Sequence, residues 1–165
     1  MPAGNVIERE EDGTPNGTFR EFAAMALVEK ILPKYEKDHY KKAIRWGLKF
    51  FASLGVTAVV DPVLDPNGPA IDALYEMEQD GELIMKYRGA FRTFENDPYR
   101  HMNYMKETSD RVRSHFFKID QAKIFVDGVV EGRTAFLKEP YTDEPDYCGN
   151  AIWKTEDLKI GRAHV

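Results

Sequence analysis

Lys123 lies in the run Gln121-Ala122-Lys123-Ile124-Phe125-Val126-Asp127-Gly128. On an extended strand Ala122, Ile124 and Val126 point one way, and Lys123, Phe125 and Asp127 the other. Two readings are open. A lysine on a solvent-facing edge strand needs no chemistry. A lysine enclosed inside a barrel loses the hydration of its charged form, so its pKa falls. The neutral amine can then take up carbon dioxide to form a carbamate, an anion with two oxygens. Such a group can bridge two metal ions about 3.5–4 Å apart.

Other candidates lie at expected strand ends, where parallel α/β folds place their sites. Asp61, before Pro62, reads either as a site carboxylate or as a turn former. The same choice holds for Asp127-Gly128. Glu131, Arg133 and Thr134 follow in the expected loop, and each taken alone reads as solvated. The four histidines, His39, His101, His115 and His164, form no HxH, HExxH or HxxEH pattern. No familiar spacing therefore builds a complete histidine-rich metal site from this chain. Phosphate-binding glycine loops and a GxSxG elbow are also missing, which argues against a nucleotide site and a serine hydrolase.

The elements that must position these residues follow from periodicity. Val6 to Arg20 carries Asp12-Gly13 and Pro15-Asn16-Gly17, the turn chemistry of a short hairpin. Helical spacing begins at Phe22 and ends at Pro33. A second helix runs from about Lys37 to Leu54, with Ile44, Leu48 and Phe51 on one face and Gly55 as its stop. Trp46, Phe50 and Phe51 read as helix packing. Val56 to Pro62 is apolar without alternation, the pattern of a strand buried on both faces. Helices are expected over Pro69 to Asp80 and Asp97 to Arg113, and strands over Met85 to Phe94 and Phe116 to Val126. Strand starts near 56, 85 and 116 give βα units of about 30 residues and a parallel sheet. Three such strands are too few for a closed barrel of about 250 residues. The fold class is α/β, either a small open sheet or a slice of a barrel.

Composition narrows the partners. With 42% hydrophobic residues and a net charge of −5, the chain can build a core and shows no basic footprint for nucleic acid. It contains no apolar run of membrane-spanning length and opens with no signal-peptide pattern. The single cysteine, Cys148, excludes an internal disulfide and fits a reducing compartment, which favours the cytoplasm. Oligomeric state is not legible. The residues Ile160-Gly161-Arg162-Ala163-His164-Val165 back-translate to ATC-GGA-AGA-GCA-CAC-GTC, a widely used sequencing-library adapter, and Lys159 fits its start. Residues 159–165 are accordingly expected to be adapter translation, with the native sequence ending near Leu158.

The order of motifs resembles amidohydrolase family 3, the YtcJ-like group that includes N-substituted formamide deformylases. The matching residues are Gly4-Asn5-Val6-Ile7-Glu8-Arg9, Asp12-Gly13-Thr14-Pro15-Asn16-Gly17, Arg20-Glu21 and Gly55-Val56-Thr57-Ala58-Val59-Val60-Asp61. Further along come Ala122 to Val129, Thr134-Ala135, Glu139-Pro140-Tyr141-Thr142-Asp143, Gly149 and Glu156-Asp157-Leu158. Asn5 departs from the family's usual glycine.

The resemblance implies a metal-dependent hydrolase of non-peptide C–N bonds, on a TIM-type barrel beside a smaller β-rich domain. It implies a divalent metal, one or two zinc ions, and a small amide-type substrate. Of the family's ligand positions, only the fourth-strand one maps here, onto Lys123 as a carboxylated ligand. The HxH would lie before Met1, and two further histidines and an aspartate beyond Leu158. The visible strands would be the second to fourth of the barrel, with residues 1–20 as a hairpin segment and 21–158 as partial barrel. The isolated chain is then expected to be inactive. The competing readings are a complete, non-catalytic α/β binding module and a decayed remnant of the same fold.

Overall fold

In a computed structural model, residues 6–95, 97 and 102–160 are described, the side chains of 159 and 160 excepted. The expectations for Gly4, Asn5, Pro98, His101 and residues 161–165, His164 among them, lie outside the described residues. The chain divides into two compact units, Tyr35–Ile124 and Met1–Lys34 with Phe125–Val165.

The unit Tyr35–Ile124 holds a three-stranded parallel sheet in the order β3-β4-β5, from β3 (Ala58–Leu64), β4 (Lys86–Arg92) and β5 (Phe117–Lys123). Helix α2 (Lys37–Ser53) precedes it. Helices α3 (Ala70–Gln79) and α4 (Met102–Arg111) form the two connections. The strand-helix-strand repeat read from the sequence is therefore present.

One core lies between the sheet and its helices. Ile71, Leu74 and Met77 from α3 meet Leu48 from α2 and Phe91, Phe117 and Ile119 from the sheet. Each large apolar side chain so buried contributes roughly 1.5–3 kcal/mol. Polar bonds link α2 to α3 and the loop after it: Lys37 and Lys41 pair with Glu76, and the Arg45 guanidinium grips both oxygens of Glu82 at 2.5 and 2.9 Å.

β3 departs from the expected strand. It runs two residues further than Pro62 and is not buried on both faces: Val60 is 60% exposed while Val59 packs on the core. The cause is that α2, α3 and α4 pack against the face that carries Val59, whereas Val60 points the other way. Pro62 fits there because the pairing with β4 shifts register between Asp61 and Leu64, and such irregularities tolerate a missing donor. β5 is shorter than the expected 116–126 and ends at Lys123. Trp46 is 69% exposed and stacks on Phe50 at 5.5 Å, so these rings form a surface pair in place of the expected helix packing.

The second unit contains the expected hairpin, β1 (Val6–Arg9) antiparallel to β2 (Pro15–Arg20). The Asp12 carboxylate accepts the Thr14 N–H at 2.8 Å and closes the turn. Helix α1 (Glu21–Glu29) follows, burying Ala24 and leaving Phe22 and Met25 exposed. It ends before Pro33. A long loop region from Phe125 and a short helix α5 (Thr155–Ile160) complete the unit.

Candidate functional site

Strand register decides which candidates share a face. Lys123 pairs with Arg92, and Ala122 with the buried Phe91. Neighbouring residues on a strand face opposite ways, so Lys123 stands on the sheet face away from the helix-packed core. It is half-buried at the C-terminal end of β5. Its backbone is fixed there: the Thr93 N–H donates to the Lys123 carbonyl at 2.8 Å, and the Thr93 hydroxyl to the same oxygen at 3.0 Å. Arg88, on the same face as Arg92, reaches Asp120 at 2.7 Å. Asp120 is the extra residue where the register shifts between Gly89 and Ala90.

Asp61 is not at the end of its strand, as the sequence pattern suggested, but in its middle. It pairs with Gly89 and shares a strand face with Val59, two residues earlier, which puts it on the helix-packed face. Its Oδ2 accepts the Tyr87 hydroxyl at 2.8 Å, and its Oδ1 accepts the Val63 N–H at 3.1 Å across the register shift. Burial first, then the bond to Asp61 and its charge, push the Tyr87 phenol well above its ordinary value. Tyr87 therefore stays a protonated donor at any working pH. The structure thus sets Asp61 and Lys123 on opposite faces of one sheet.

The other candidates lie in the unit that contains Phe125 onward. The Asp127 Oδ2 accepts the Phe136 N–H at 2.9 Å, closing the loop as a turn former does. Gly128 is required by close approach, since a Cβ there would lie 2.0 Å from Thr134 Oγ1. The Glu131 side chain is exposed, while its carbonyl accepts from the Arg20 guanidinium at 3.2 Å. Arg133 binds Asp143 and Glu144, and the Glu144 bond, then the Asp143 charge, raise its pKa. His39 and His115 are exposed, each beside an aromatic ring.

Sequence reasoning gave no part to Thr93 or Tyr87 and read Glu78 only as sharing a helix face with Ile71, Leu74 and Tyr75; the partners of all three lie far along the chain. Glu21 was visible as half of the Arg20-Glu21 pair, but nothing local marked its partner. Among the described residues no three His, Cys, Asp or Glu side chains gather to hold a metal ion. The described donors therefore do not amount to a metal site. No described helix is long and apolar enough to cross a membrane.

A parallel sheet with helices against one face and a lysine at a strand's C-terminal end on the other defines an α/β protein of repeated βα type. The chain belongs to the Amidohydrolase family, whose profile matches residues 1–160. It is 28% identical over 168 residues to YtcJ of Bacillus subtilis (strain 168), a protein whose name assigns it as an amidohydrolase; the match covers 98% of this chain and 29% of that protein. It is 26% identical over 162 residues to LONG AFTER FAR-RED 3 of Arabidopsis thaliana, covering 95% and 28%. A crystal structure of an uncharacterized metal-dependent hydrolase from Pyrococcus horikoshii OT3 superposes with a TM-score of 0.62 at 19% identity, covering 92% of this chain and 30% of that one. That likeness shows the fold. The chain spans under a third of the length of each of these proteins.

Proposed function

We propose that this chain is a stretch of a metal-dependent hydrolase that cleaves non-peptide C–N bonds of amide or formamide type. In this reading β3, β4 and β5 are the second to fourth strands of a TIM-type barrel, residues 1–20 are an associated hairpin, and residues 159–165 are not native. Water would add across the carbonyl, and the amine would leave with a proton. The observation that carries the reading is Lys123. It ends a parallel strand on the face away from the helices, and in a closed barrel that face is the interior.

In this reading the amine of Lys123 reacts with carbon dioxide, and the carbamate so formed would supply an anionic ligand for zinc. One such residue is not by itself a metal site. Asp61, tied to Tyr87 on the helix-packed face, serves β3 rather than a substrate. Asp127, Gly128 and Glu131 belong to the loop that follows β5 in the chain, which in this reading contributes to substrate selection.

The test is hydrolysis of a panel of N-formyl amides, with zinc added, by the gene product recovered with its flanking sequence. Turnover that is lost in Lys123→Ala, while the 165-residue chain stays at background, is the expected result. Turnover unchanged by Lys123→Ala would refute the ligand role. No turnover by the longer protein would favour the binding-module or remnant reading.

A further inference from the structure

We infer that Glu21 is a positioning residue that holds the loop of residues 127–136 in shape. Among the described residues, two that are not glycine have left-handed backbones: Glu21 at φ 63° and Arg133 at φ 55°. Such conformations persist in bulky residues only where their surroundings hold them. Both belong to the same compact unit, and both act on the same loop.

The Glu21 carboxylate accepts the Thr134 hydroxyl. Thr134 is the knot of the loop. Its Oγ1 accepts the Val129 N–H at 3.0 Å, its own N–H donates to the Val129 carbonyl at 3.1 Å, and its carbonyl accepts the Gly128 N–H at 3.0 Å. A Cβ on Gly132 would come within 3.4 Å of the Glu21 Oε1. Arg20, one residue earlier, binds the Glu131 carbonyl. Two adjacent residues thus grip a loop more than a hundred positions away. A glycine would suit the backbone at position 21 better, but only a side chain with an acceptor at its end reaches Thr134. The strain is the consequence of needing that carboxylate.

This loop follows β5 directly in the chain and carries Asp127 and Glu131. On the hydrolase reading, on which the substrate consequence rests, such loops select the substrate. Glu21 would then act on selectivity through Thr134, without touching substrate.

Hydrogen exchange of the 165-residue chain tests the clamp itself. Glu21→Gly removes the carboxylate and relieves the backbone, and Thr134→Val removes the hydroxyl at similar volume, so one reads the contact if the other fails to fold. Either should speed exchange at Gly128, Val129 and Thr134 by about tenfold, the loss of one hydrogen bond, and leave β4 and β5 unchanged. Loop exchange that is unchanged, or that rises equally in the sheet, overturns the inference. In the longer enzyme Glu21→Gly should shift the ratio of kcat/KM between a small and a bulky N-formyl amide, and an unchanged ratio overturns the selectivity role. Activity that survives Lys123→Ala removes the ligand reading and leaves the exchange result standing.

Discussion

Glu78 offers the sharpest test of how this fold is held. It sits near the end of α3 and accepts three donors at the start of β5. Oε1 takes the Phe116 N–H at 3.0 Å, and Oε2 takes the Phe117 N–H at 2.7 Å together with the Ser114 hydroxyl. Phe117 is fully buried, so its amide has no recourse to water. In Glu78→Ala the Phe117 N–H keeps the Ser114 Oγ at 3.1 Å. The Phe116 N–H keeps no protein acceptor among the described residues. An orphaned donor costs about 1–3 kcal/mol, and weakening the charge-assisted second bond adds to that, so about 2–3 kcal/mol is expected in total. Glu78→Gln retains one carbonyl oxygen and should lose about half as much. With urea slopes of about 1–3 kcal/mol/M, Glu78→Ala should lower the unfolding midpoint by about 1 M, followed by circular dichroism. A midpoint within about 0.2 M of the parent would show that the start of β5 is held by packing alone, and the account of Glu78 would fall.

Acid sensitivity should follow from the carboxylates that face α2. Hydrogen bonds from Lys37 and then Lys41 hold Glu76 below its ordinary 4.5, and the Arg45 bond does the same for Glu82. A depressed folded-state value means the stabilisation is full above about pH 4.5 and is lost as pH falls through the lower folded value. Urea midpoints should therefore drop on going from about pH 6 to about pH 3.5, and less steeply in Glu76→Gln/Glu82→Gln; parallel profiles would contradict this. Gly89→Ala would place its Cβ 2.2 Å from Leu64 Cδ1 and 3.2 Å from Ile119 Cγ1, both in the core. Overpacking of about 1–3 kcal/mol is expected, partly relieved by Leu64→Val in the same chain, and additive losses in the double variant would count against that contact.

Local chemistry by itself determined the succession of elements. Asp12-Gly13 turns the hairpin, Gly55 stops α2 with a left-handed backbone at φ 79°, and the alternation of helical with β-branched runs yields the parallel repeat. These depend on neighbours in the chain, so they are legible there. The likeness of Ala122 to Val129 and its companions to the amidohydrolases was legible for the same reason. What a side chain faces was decided by the tertiary structure. Asp61 and Lys123 look alike from sequence, polar residues in apolar strands, yet register turns Asp61 toward Tyr87 and the helices and Lys123 the other way. A one-residue shift such as those at Asp61/Leu64 and Gly89/Ala90 reverses the facing of everything beyond it. The role of Glu21 needed folding still more, because its partner Thr134 lies 113 residues on. Only the assembled chain, by offering that hydroxyl, explains a glutamate where the backbone would suit a glycine.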